Sequence, residues 1–201
     1  MDETWIFQFD PKPKSAPMHR RRPSSPPPKK AKVTQSSGKV MLSCFCDCDG
    51  IIMTDYMEKA KTVTGEYYSG LLKRLRSELA RRRRGKFRSG VLLLHDNAPA
   101  HRARQAAERC GFKILPHLPY SPDLAPSDFC LFPNLKKSIK RRRFEDSTDA
   151  ITAVEAWFQA KSDTFYSQGL LKVKERWEKC VTQLGAKDIL NSPRRYSLAG
   201  L

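Results

Sequence analysis

Four apolar residues, Val91, Leu92, Leu93 and Leu94, run without a polar break into His95, Asp96 and Asn97. A strand that is apolar at every position is expected to be buried on both faces, which calls for a sheet covered by helices on either side. The same run delivers a carboxylate, Asp96, to its carboxyl end, where open α/β sheets usually carry their sites. A lone Asp there reads better as a capping or turn residue beside Asn97.

The rest of the chain supplies the layers. Residues 4–9 are β-prone and aromatic and read as a first strand. Residues 39–48, the Asp49-Gly50 turn and residues 51–58 read as a hairpin, so three adjacent antiparallel strands come early. Spacing then becomes helical over 65–84, with Tyr68, Leu71, Leu72, Leu75 and Leu79 on one stripe. Gly85 reads as its stop, and the preceding arginines suit the negative helix end. After the apolar strand come a short helix over 101–110 ending at Gly111, a strand over 112–117, and a Pro-rich turn. A helix over 129–143 and two more near 147–161 and 167–184 close the domain. The order predicts an α/β fold, a mixed five-stranded sheet flanked by helices.

One segment does not fit this plan. Residues 11–38 are Pro, Ser, Lys and Arg with almost no apolar side chains; they are expected to form a basic, disordered excursion. The domain is therefore read as 1–185, with 11–38 outside its core and 186–201 as a flexible tail. The 201 residues hold 38 Lys+Arg against 21 Asp+Glu, a formal charge of +17. Such a balance attracts polyanions, with DNA or RNA the usual partner. No stretch reaches the length of a transmembrane helix, and no membrane partner is expected. The six cysteines include no Cys-x-x-Cys pair. Cys44, Cys46 and Cys48 alternate along one strand, and the set reads as reduced, partly buried thiols.

Two strings carry the chemistry. "HDNAPAH" (95–101) contains Asp96, and "YSPDLAPSD" (120–128) ends on Asp128 at the start of a helix. Asp128 or Ser127 also suits a helix N-cap, and Asp123 suits the turn after Pro122. Both strings resemble the second- and third-aspartate motifs of mariner-type transposases, the latter at all nine positions. "DETWIFQFDP" (2–11) is similar to the family's first motif and makes Asp2 the matching residue, with Glu3 and Asp10 as bystanders. The resemblance covers about residues 2–185 and includes "ERWEKCVTQLG" (175–185), where Trp177 reads as a core residue. Between Asp96 and Asp128 lie 31 residues, somewhat fewer than the family's usual spacing, with the shortfall around 101–113.

The resemblance implies an RNase H-like catalytic domain that holds Mg2+ or Mn2+ on Asp2, Asp96 and Asp128, with no small-molecule cofactor. It implies DNA as substrate and metal-dependent strand cleavage and transfer. The family's helix-turn-helix, repeat-binding half has no counterpart here, so a truncated copy is expected. In relatives the 11–38 region reaches a second subunit, which implies a homodimer contact. Asp2, next to the initiator Met, is expected to be poorly held. Arg81, Arg82, Arg83, Arg84, Arg141, Arg142 and Arg143 are the expected phosphate contacts, since Arg grips phosphate bidentately; a solvated helix end is the alternative. "PKKAKV" (28–33) resembles a nuclear-import signal, so a nuclear protein is expected, cytoplasmic before import. Two other functions suit the same residues: a catalytically silent nucleic-acid-binding remnant, and a nuclear adaptor working through its basic Pro-rich loop.

Overall fold

The computed structural model describes residues 1–10, 36, 38–58, 63–96, 104–118, 120–140 and 142–184. The expected excursion over 11–38, residues 97–103, Arg141 and the tail from 186 lie outside the described residues, Ser36 and Gly38 excepted.

Three antiparallel strands open the fold: β1 (Asp2–Phe7), β2 (Lys39–Asp47) and β3 (Gly50–Glu58), with β2 in the middle. β1 begins and ends earlier than its sequence suggested. Its ladder runs from Asp2 opposite Cys44 to Phe7 opposite Lys39, and Phe9 instead bridges to Arg143. β2 is covered on both faces, so Leu42, Ser43, Cys44 and Phe45 are buried in succession. A bulge between Phe45 and Cys46 ends the regular alternation.

On one face lies α1 (Gly65–Arg82), capped by Thr64, whose side chain accepts from the Tyr67 amide, with the five stripe residues buried. Gly85 does not stop this helix. Arg83 is the cap residue, its N–H returning to Leu79, and Gly85 sits inside a second short helix, α2 (Arg84–Ser89). The residue that needs glycine's freedom is Gly90, at φ 88°, which turns the chain from α2 into β4 (Val91–Leu94). Gly111, at φ 82°, does the same between α3 (Arg104–Arg109) and β5 (Phe112–Leu115). β5 stops before Pro116, which has no N–H to give a ladder.

β4 and β5 pair in parallel, with α3 as the crossover between them. The five strands therefore fall into ladders of three and two. The Met1 ammonium spans from β1 to β4 by donating to the Leu94 carbonyl at 2.6 Å. β4 is not buried on both faces as its composition suggested. Val91 and Leu93 join Phe112, Ile114 and the α1 stripe in one core. Leu92 is 41% exposed opposite the exposed Lys113. Four residues are too few for alternation to declare itself when all are apolar.

The opposite face of the first sheet is covered by a 3-10 turn (Pro122–Leu124), a π-turn (Ser127–Leu131), α4 (Phe132–Ile139), α5 (Ser147–Gln159) and α6 (Asp163–Leu184). Ile6, Val40, Leu42 and Cys44 meet Leu131, Phe132, Leu135, Val154 and Phe158 there. α4 ends sooner than expected, so Arg142 and Arg143 follow the helix rather than belong to it. Asp146 caps α5 at the Asp149 amide, and Glu155 ties α5 to β3 by accepting from Thr54 Oγ1 and the Tyr56 hydroxyl. No helix among the described residues is long and apolar enough to cross a membrane.

Leu72→Ala should lower unfolding stability by about 2–5 kcal/mol, because the surrounding core closes a cavity only in part. Leu92→Thr should cost less than ~1 kcal/mol, as surface changes do. Urea midpoints of the two variants measure this, and equal losses would mean that β4 is covered on both sides.

Candidate active site

The β1–β2 register builds the first half of the site. Asp2 stands opposite Cys44, Thr4 opposite Leu42 and Ile6 opposite Val40. Alternation puts all three on the face that α4 covers. Asp2 is only 8% exposed and its Oδ1 accepts from the Glu3 amide at 2.8 Å. It is therefore better held than its place beside Met1 suggested, since the Met1 ammonium is itself bonded to Leu94.

Asp128 arrives at the same face by a different route. Its amide and that of Phe129 both bond the Ala125 carbonyl, at 3.0 and 3.1 Å, and the chain then widens into the π-turn. Single π-turns recur at functional sites because they re-aim one side chain without ending the helix. Ser127, beside it, is buried and is not a capping residue: this turn has no side-chain cap. Asp123 stays exposed in the preceding 3-10 turn.

Asp2 and Asp128 come together, their carboxyl groups within hydrogen-bonding reach. Burial first, and then the Asp128 charge, push the Asp2 carboxyl up to about 7. Two carboxylates forced together in a partly dry pocket share a proton or a cation. Hard, short oxygen donors of this kind suit Mg2+ or Mn2+.

Asp96 is exposed at the end of β4, preceded by the buried His95. His95 Nδ1 lies 3.2 Å from the hydroxyl of the fully buried Tyr68, and the two rings stack with centroids 5.8 Å apart. This pair anchors the β4 end that carries Asp96. His117, just past β5, feels the charges of both Asp96 and Asp128, while burial holds its imidazole below the usual value. Asp96 thus borders the site, but among the described residues no three His, Cys, Asp or Glu side chains converge on one ion position.

The arginines divide. Arg81 and Arg82 pair with Glu78 at 2.6 and 2.9 Å, and Arg83 pairs with Asp47 at 3.2 Å and Asp49 at 3.6 Å. Arg84 is exposed. Arg142 stacks over Phe144 and Arg143 over Phe9, both at the surface. All six cysteines are free thiols. Sequence reasoning missed the Tyr68–His95 pair, His117, and two contacts from α6. Arg176 donates to the Asp123 carbonyl at 3.0 Å, and Trp177 Nε1 to the Leu124 carbonyl at 3.3 Å. The tyrosine-histidine pair had one signal, a Tyr on the buried helical stripe and a His in the aspartate motif; the α6 contacts span 53 residues and had none.

Residues 12–89 match the family described as Transposase (partial DDE domain). The Mariner Mos1 transposase of Drosophila mauritiana is 37% identical over 189 residues, which are 92% of this chain and 54% of that protein. The chain thus spans about half the length of this relative. The crystal structure of the catalytic domain of Mos1 mariner transposase is 33% identical. It superposes with a TM-score of 0.72 over 90% of this chain and 79% of its own. The Mos1 mariner paired-end complex with Mn gives a TM-score of 0.82 at 36% identity, over 90% of this chain and 54% of its own. The chain belongs to the mariner transposases and corresponds to their RNase H-like catalytic DDE domain.

Proposed function

We propose that this chain cuts and rejoins DNA strands with a divalent-ion site built on Asp2, Asp96 and Asp128. The observation that carries the reading is the meeting of Asp2 and Asp128, 126 positions apart in the sequence, on one covered face of the sheet. The chemistry of the donors fits Mg2+ or Mn2+, and a Mos1 complex solved with Mn supports the choice. When bound, such ions activate an attacking oxygen and stabilise a leaving one in phosphodiester chemistry.

The protein's own contribution is placement and charge. Asp2 and Asp128 offer fixed oxygens from two elements that pack on each other. Asp96 supplies the third from a strand end held by Tyr68 and His95. The +17 balance draws DNA to the surface, with Arg81, Arg82, Arg84, Arg142 and Arg143 exposed for phosphates. Arg83, enclosed between Asp47 and Asp49, serves the fold first. We further place the protein in the nucleus, as one domain over 1–185 with a contact to a second copy through 11–38.

One observation favours a second reading. Asp96 does not converge with the other two carboxylates among the described residues. A silent DNA-binding remnant would show that arrangement permanently, whereas an active domain would close it on metal and DNA.

Nicking of supercoiled plasmid with Mn2+ separates the two. The proposed function requires nicking by the wild-type chain that falls at least ~100-fold in Asp96→Ala, on the order of the loss when one member of a cooperating set is removed. Equal background in both, with salt-sensitive DNA binding retained, identifies the remnant.

The Asp2–Asp128 contact also makes stability depend on pH. The folded chain holds the Asp2 proton up to about 7, while the unfolded chain releases it near 3.8. Between these values the native state binds more protons, so this group's contribution to stability falls as pH rises. Without metal, Tm should drop from pH 4 to pH 7 by more in the wild type than in Asp2→Asn. Added Mn2+ should restore more of it at pH 7 than at pH 4.

A further inference from the structure

The turn that delivers Asp128 is gripped from outside by α6. Arg176 donates to the carbonyl of Asp123, five positions before Asp128. Its guanidinium also lies 4.1 Å from the centroid of the Phe129 ring, one position after. Trp177, next on the helix, donates from its indole to the Leu124 carbonyl. Within the turn, the Leu124 and Ala125 amides bond Ser121 and Pro122, and the Asp128 and Phe129 amides bond Ala125. The carbonyls of Asp123 and Leu124 are instead met by α6.

We propose that Arg176 and Trp177 are positioning residues that set where Asp128 stands against Asp2, by clamping the polypeptide on both sides of Asp128. This rests on Asp128 being a ligand of the ion site proposed above. The geometry supports a specific role for arginine. A planar fork can lie on an aromatic face while one of its N–H groups points sideways at a carbonyl; an ammonium cannot do both. Trp177 contributes a rigid donor that fixes the height of the 3-10 turn above the sheet. Neither side chain needs to touch ion or DNA for this. A shift of the turn by a fraction of an ångström moves the Asp128 oxygens directly, because Asp128 follows the turn by only four residues.

The sign of the effect distinguishes clamping from simple charge. If Arg176 acted only as a nearby positive charge, removing it would tighten the binding of a cation. If it clamps, removing it loosens the ligand and weakens binding by about tenfold, as loss of an outer-shell support does. The test is titration of the full chain with Mn2+, followed by the electron paramagnetic resonance signal of the free ion, which does not depend on strand cleavage. Arg176→Met should bind about tenfold more weakly. Arg176→Lys should not restore the affinity, and Trp177→Phe should fall in the same direction. Tyr166→Phe removes the hydroxyl bond to the Phe158 carbonyl near the other end of α6. It should lower Tm while leaving Mn2+ affinity in place.

Unchanged or tighter binding in Arg176→Met overturns the clamp, as does an equal loss in Tyr166→Phe, which would mean that α6 acts only by being folded. Asp128→Asn is measured alongside. If it too binds Mn2+ like the wild type, the ion-site reading fails and takes the clamp with it. If Asp128→Asn loses affinity and Arg176→Met does not, only the clamp is wrong.

Discussion

The site depends on the register of β1 against β2. Asp2 opposite Cys44 puts its carboxyl on the face covered by the π-turn and α4. A slip of one residue would send it to the face covered by α1 and bring Glu3 in its place. That register is held by burial and not by the turn chemistry of a hairpin, because residues 8–38 separate the two strands. Ile6 against Val40, and Thr4 against Leu42, must go inward together, and Asp2 follows them. The hydrophobic pattern of a strand thereby fixes the position of a charge, and the Met1 ammonium on the Leu94 carbonyl secures its open end.

Such placement opposes the chain's own stability. A carboxyl that is nearly out of water, beside a second carboxyl, is costly to ionise, and the protein answers by raising the Asp2 pKa toward neutrality. The sequence contains abundant cations, and among the described residues Arg83, Lys86 and Arg74 pair instead with Asp47, Asp49 and Asp55. Among the described residues no lysine or arginine forms an ion pair with Asp2 or Asp128, and on the ion site proposed above that position would be open to a small divalent cation. A buried arginine there would stabilise the fold and abolish the site.

Much of the architecture was legible because it is local. The α1 stripe, the Asp49-Gly50 turn and the start of the 39–48 strand needed only periodicity and turn chemistry, and the structure shows each of them. What failed was information held by distant partners. Gly85 looked like a helix stop, but the cap is decided two residues earlier, where Arg83 is drawn to Asp47 and Asp49 across the hairpin. Leu92 looked like core, but what lies over a strand face depends on where the helices land, and Lys113 beside it faces water. Asp2 looked frayed because its ladder partner is 42 residues away. The two aspartate strings identified the candidate residues through resemblance, whereas their meeting is a property of the folded chain alone.

The three carboxylates are supplied by two parts of the fold. Asp2 and Asp128 belong to one packed unit, the first sheet and the helices over it. Asp96 belongs to the β4–β5 pair and is tied to the first unit by the α1 core and the Met1 contact. On the ion site proposed above, an ion drawing oxygens from both units would reach full affinity only where the two units bring them together. A nuclease whose site is complete at rest cuts whenever metal is present. On the function proposed above, a third carboxylate at an exposed strand end would leave the site incomplete until bound DNA drew it in.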